Sequence, residues 1–276
     1  MEDDEEIVLN DDGILELSFR GWETVSPSIY PYSRSIIHLD LSFNCLVELP
    51  DEIGTLCNLQ SINVSCNKLQ SIPHSFGRLR RLTSLKAEGN KLNTLPEEIG
   101  SCISLKSIHL AENQINNLPE SLGNCISLMM LDLQNNNLNS LPLTLSKIDT
   151  KDFKIDCSQN PNLKMIPEEM KSDSETIRWI ITFLYEKKKI IDIIEQTTIE
   201  MSQVAKSNEH TISEYNAEIE KLRTERDFLL EERESVRYFI KVREWARSCN
   251  RSFKKYMAFC QKMLSRSSKP PMEYYK

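Results

Sequence analysis

The sequence predicts an α/β solenoid with a parallel sheet, followed by a long α-helical coiled coil. Three observations predict it. From Ile36 to Thr150 the chain repeats itself every 23 residues, through five units. Each unit places apolar residues at its positions 1, 4, 6, 11, 14 and 18, with Asn at 9 and Pro at 15. Beyond this region no Gly or Pro occurs between Ser174 and Ser265, and apolar residues recur there at strict three-four spacing. A fixed period of this length marks a repeat architecture, in which no unit buries its apolar face alone.

Within a unit, the alternation at positions 4 and 6 is the signature of a short strand with one buried face. The Asn column comprises Asn44, Asn67, Asn90, Asn113 and Asn136, and Asn160 continues it. An amide carries two donors and an acceptor, so a buried Asn can satisfy backbone groups where the chain leaves the strand. The Pro column (Pro50, Pro73, Pro96, Pro119, Pro142) marks the change from extended chain to turn. Ile53-Gly54, Ile99-Gly100 and Leu122-Gly123 follow on the outer side of the turn.

These residues resemble the leucine-rich repeat pattern LxxLxLxxNxLxxLPxxIGxLxx. More narrowly, the units are similar to the 23-residue intracellular class of Ras-group-related and scribble-like proteins. The resemblance implies a horseshoe-shaped solenoid, with the sheet on its concave face and loops or 3₁₀ turns on its convex face. The resemblance defines the fold much more strongly than it defines a function, because the motif residues are structural.

Taken in order, residues 1–12 hold seven acidic side chains and read as a disordered tail. The repeat domain is expected over 13–171. It opens with an atypical capping repeat, Ile14 to Pro27, in which Arg20 replaces the Asn and Leu15, Leu17, Trp22 and Val25 are apolar. Ser26 to Ser35 then leads to the full repeats, 36–150. A closing repeat spans 152–171, with an extra residue before Asn160 and another around Pro161. A capping helix is expected over 172–189, its N-cap drawn from Ser172, Asp173 and Ser174 and its stripe from Ile177, Ile180, Ile181 and Leu184. The coiled-coil helix follows over 190–266, with a seam running Ile191, Ile194, Thr198 through Ile219, Leu222 and Arg226 to Ile240. Either it dimerises, pairs with another chain, or folds back as a hairpin. Residues 270–276 read as a disordered tail.

Net charge is −7 and gives no case for nucleic acid. It hides a basic segment, 237–269, with ten Lys or Arg and one acid, Glu244. There Arg243, Arg247, Arg251, Lys254 and Lys255 alternate with aromatics. They suit an acidic protein surface, the chain's own acidic N-terminal tail included, or a solvated helix face, with an anionic membrane or nucleic acid as further alternatives. No apolar run reaches the length of a membrane span, and the acidic start does not read as a signal peptide. The eight cysteines lack a CxxC, and Cys102, Cys125 and Cys157 take apolar positions. Free thiols in a reducing, cytoplasmic setting are expected.

No phosphate loop, nucleophile elbow or zinc-protease motif is present. His38, His74, His109 and His210 read as scattered surface residues without metal-ligand companions. No catalytic residue, cofactor or metal is therefore expected. The candidate binding face is the concave one, where Asp40, Asn63, Lys86, His109, Asp132 and Asp156 form a polar row and Phe19 and Phe43 lie near its N-terminal end. The function expected is a non-enzymatic scaffold: the concave face docks one protein and the coiled coil oligomerises or docks another. A cytoskeletal or ciliary component and a regulatory subunit of an enzyme such as a phosphatase are the alternatives.

Overall fold

The computed structural model describes residues 7–150, 152–207, 217, 219–224, 226 and 227. The chain divides into two compact units, Met1–Ile190 and Ile191–Lys276. The first holds a seven-stranded parallel sheet in which strand order follows chain order: β1 Ile14–Glu16, β2 His38–Asp40, β3 Ser61–Asn63, β4 Ser84–Lys86, β5 Ser107–His109, β6 Met130–Asp132 and β7 Lys154–Asp156. From β2 onward each repeat returns through a 3₁₀ turn entered from its Pro; Pro96 has φ −69° and ψ 149°. The middle residue of every strand is buried, as Leu39, Ile62, Leu85 and Ile108 are. The core lies between sheet and turns.

The Asn column fixes the stacking. Asn90 donates through Nδ2 to the carbonyls of Ala87 and Glu88 in its own repeat and of Val64 in the preceding one, at 3.0–3.2 Å. Its Oδ1 accepts the Leu69 N–H at 3.0 Å. Asn67, Asn113, Asn136 and Asn160 make the same contacts one repeat along. Since each amide reaches back to the preceding repeat, the first repeat has nothing to reach. This accounts for Arg20 at that position. Asn44 Oδ1 accepts the N–H groups of Arg20 and Trp22. On the convex side the glycines are required by close approach: a Cβ at Gly100 would sit 2.4 Å from the Ser121 carbonyl oxygen.

The chain ends of the solenoid differ from the expectation. Residues 10–13 form a turn rather than part of a tail, with the Asn10 carbonyl accepting the Gly13 N–H and its side-chain oxygen accepting the Ile14 N–H at 2.7 Å. Residues 1–6 lie outside the described ones. The stretch expected to be a connection contains a 3₁₀ turn, Pro27–Tyr32, whose buried Ile29 takes the place of Ile53 in the next repeat. Trp22 is half-exposed instead of core.

At the other end, the free edge of β7 is covered by the turn before the helix. Ser174 Oγ accepts the Ile155 N–H and donates to the Ile155 carbonyl, and the Cys157 N–H donates to the Lys171 carbonyl. An uncovered edge would present unpaired backbone groups to other chains. The cap of the helix is therefore Asp173, whose carboxylate accepts from the Thr176 N–H and hydroxyl. Ile177, Ile180 and Ile181 are buried, and Trp179 stacks on Phe183 at 5.5 Å.

Helix α1 runs without a break over Ser174–Ser207, through the boundary expected near 189. In the second unit, the seam positions Ile194 and Ile219 are both buried, while Ile193 and Ile199 are exposed. Arg226 is held above its ordinary pKa, first by its hydrogen bond to Asp227, and also by the charges of Asp227 and Glu195. Residues 217, 219–224, 226 and 227 are helical as well. The rest of the seam, the basic segment with Arg243, Arg247, Arg251, Lys254 and Lys255, and the tail 270–276 lie outside the described residues. Among the described residues no helix is long and apolar enough to cross a membrane.

Removing one amide of the column should strand buried carbonyls and an N–H at once. Asn90→Ala is expected to lower stability by about 1–3 kcal/mol, read as a lower urea midpoint of the full chain with an unchanged slope. An unchanged midpoint would mean that the Asn90 amide does not hold these repeats together.

Candidate functional site

Parallel pairing sets the side chains of equivalent positions in rows across the concave face. Register joins Glu16 to Asp40, Asp40 to Asn63, Asn63 to Lys86, Lys86 to His109, His109 to Asp132 and Asp132 to Asp156. Successive strands stand about 4.8 Å apart, so residues distant in sequence become neighbours. A polar chain results. Asp40 accepts from the Ser42 hydroxyl at 2.6 Å and from Asn63 Nδ2 at 3.0 Å. Asn63 Oδ1 accepts the Ser65 N–H, and Ser65 Oγ donates to Glu88 Oε2 at 3.0 Å. Glu88 Oε1 in turn lies 3.6 Å from His109 Nδ1. Asp132 and Asp156 close the row, each accepting the N–H two residues on, from Gln134 and Ser158.

The expectation that His109 has no ligand companions is thus corrected. Glu88, His109 and Asp132 are half-buried, and one donor atom from each lies within 4.8 Å of the others. Glu88 was missed because it stands at position 7, not in the row at position 5; the position-7 column (Ser42, Ser65, Glu88) was the signal available. His38 and His109 do not come together. On the convex side His74 Nδ1 meets Glu98 Oε2 at 2.7 Å; that hydrogen bond raises the His74 pKa and lowers that of Glu98.

At the N-terminal end of the face, Phe19 and Phe43 stack at 4.4 Å with ring planes 6° apart. They are 74% and 49% exposed, so the pair covers no core. Both residues have left-handed backbone, with φ 59° and 54°. The same conformation holds at this position in every repeat: Cys66, Gly89, Glu112, Asn135 and Gln159. It is a general demand of the strand exit, which costs a non-Gly residue about 1–2 kcal/mol. Two bulky aromatics there are not selected by the backbone.

The three buried thiols are not activated nucleophiles. Burial pushes Cys102 up to about 12, Cys125 up to about 11 and Cys157 up to about 12, away from the thiolate. Cys102 and Cys125 do not pair with each other; each donates its S–H to a carbonyl of the preceding repeat.

Residues 34–92 match the family model Leucine rich repeat, and residues 104–125 match a second model, Leucine Rich Repeat. Leucine-rich repeats are thus recognised within the solenoid over these residues. A leucine-rich repeat protein of Leptospira interrogans is similar at 34% identity and TM-score 0.51, covering 54% of this chain and 38% of that one. The ectodomain of the Arabidopsis thaliana membrane receptor kinase GASSHO1/SCHENGEN3, solved with Casparian strip integrity factor 2, is 31% identical; it covers 45% of this chain and 16% of that one, at TM-score 0.39. The plant peptide hormone receptor RGFR1, solved with RGF2, is 30% identical over 48% of this chain and 22% of that one, at TM-score 0.43. The chain spans well under half the length of each. No curated protein matches it. Leucine-rich repeat domains commonly mediate protein–protein contacts, and neither matching model describes a catalytic family.

Burial divides the described cysteines by reactivity. A disulfide reagent at neutral pH should label the exposed Cys57 and Cys66 promptly and leave Cys102, Cys125 and Cys157 unlabelled until urea is added, as read by mass spectrometry of peptides. Prompt labelling of Cys102 or Cys125 in the folded chain would contradict their placement in the core.

Proposed function

We propose that this chain is a non-enzymatic protein-interaction module whose concave face docks one protein partner. The exposed, coplanar Phe19–Phe43 stack supports this most strongly. Paired aromatics left in water gain by being covered, and aromatics often dominate interface energetics. The polar row from Asp40 to Asp156 would give such an interface its specificity through hydrogen bonds and charge. In this reading the helical second unit carries a further contact, to another copy or another protein. The basic residues Arg243, Arg247, Arg251, Lys254 and Lys255 would serve an acidic surface on that partner. A cytoplasmic scaffold in signalling or in a cytoskeletal assembly accords with the sequence class; no observation favours the enzyme-subunit alternative.

The test is proximity capture followed by direct binding. Partners are captured by a photo-crosslinking residue placed at Glu16, in β1 of the same face, and the affinity of each is then measured. Phe19→Ala with Phe43→Ala should weaken the affinity at least tenfold, about 1.4 kcal/mol. Ile126→Ala, at another exposed apolar residue (61%), should leave it unchanged. Equal loss with Ile126→Ala, or no loss with the double variant, would move the binding site off the stack.

A further inference from the structure

We propose that Glu88, His109 and Asp132 form a site for one divalent transition-metal cation on the concave face. Three adjacent repeats each contribute one donor, and the repeat geometry holds them together: His109 and Asp132 are register partners, and Glu88 lies at the strand exit one repeat earlier. His109 Nδ1 and Glu88 Oε1 stand 3.6 Å apart, and all three donors lie within 4.8 Å. A cation with ligands at about 2.0–2.2 Å sets its donors about 3 Å apart at right angles and about 3.5 Å apart in a tetrahedron. The histidine–glutamate spacing already falls near these values. Shifts of under about 1 Å, within reach of half-exposed side chains, would close the rest.

The outer oxygen of each carboxylate is already held by the protein. Ser65 Oγ donates to Glu88 Oε2, and the Gln134 N–H donates to Asp132 Oδ1. Glu88 Oε1 is thereby directed at the imidazole, and Asp132 Oδ2 remains available. Hydrogen bonds of this kind orient metal ligands. Charge argues in the same direction. Two carboxylates share a half-buried site, and Lys86, in register beside His109, is exposed and forms no ion pair with either among the described residues. A dication would neutralise them.

The donor set indicates the metal. One imidazole and two carboxylates suit zinc, cobalt or manganese, whereas calcium and magnesium favour all-oxygen shells of six or more ligands. Three protein ligands leave positions open on the concave face for water or for a donor group of a docked protein. The site therefore goes beyond the aromatic anchor and does not depend on it.

Co²⁺ is the probe, because its visible spectrum separates nitrogen and oxygen ligation from thiolate ligation at the exposed Cys57 and Cys66. The full chain, stripped with EDTA and dialysed, is titrated by calorimetry and absorption. One equivalent should bind without a sulfur charge-transfer band, and excess Mg²⁺ should not displace it. His109→Ala and Asp132→Asn should each lower the affinity at least tenfold, while their melting temperatures without metal stay at the wild-type value. Co²⁺ should raise the melting temperature of wild type alone. Should either variant fail to fold, Glu88→Gln, which keeps the side chain's size, carries the same expectation. Equal binding by wild type and variants, or no binding up to millimolar Co²⁺, would overturn the site.

Discussion

The structure depends on one side-chain amide repeated at each strand exit. Asn44, Asn67, Asn90, Asn113, Asn136 and Asn160 are buried, and each spends its donors on carbonyls of two consecutive repeats while its oxygen takes an N–H from the repeat before. At this point the chain has left the sheet, and its backbone groups have no ladder partners. Left unpaired, each would cost about 1–3 kcal/mol. The amide therefore satisfies the backbone and sets the spacing between repeats in the same set of bonds. The arrangement is directional. It explains why the first repeat dispenses with Asn, and why the last needs another device: Ser174 and the Lys171 carbonyl cover the outer edge of β7.

Fixed spacing has a functional consequence. Because every repeat turns with the same backbone, the concave face is a lattice whose rows the sequence can fill freely. The left-handed residue at each strand exit points a side chain outward whatever its type, and in the first two repeats that residue is Phe. One row over, Asp40, Asn63, Ser65, Glu88 and His109 become a chain of polar contacts across four repeats. Neither feature contributes to the core. The solenoid supplies rigid placement, and the chemistry lies in the side chains placed on it.

The second unit obeys a different constraint. A helix with an apolar stripe must cover it, and α1 buries Ile177, Ile180 and Ile181 within the first unit and Ile194 within the second. A three-four apolar pattern states that a face must be covered; it carries no term for which segment does so.

The sequence by itself determined the architecture. Period, strand alternation, Asn and Pro columns and the Gly-free helix were all legible, because each reflects a local requirement repeated often enough to stand out. It also marked Phe19, Phe43 and the row from Asp40 to Asp156, since a known register converts position into place. Tertiary structure alone decided what those side chains do to one another. The stacking of the two rings and the meeting of Glu88, His109 and Asp132 depend on contacts between residues some 20 or more positions apart. Such contacts leave no periodic trace. A row position says that two residues are neighbours, but rotamers, hydrogen bonds and the competing demands of adjacent repeats decide whether they touch.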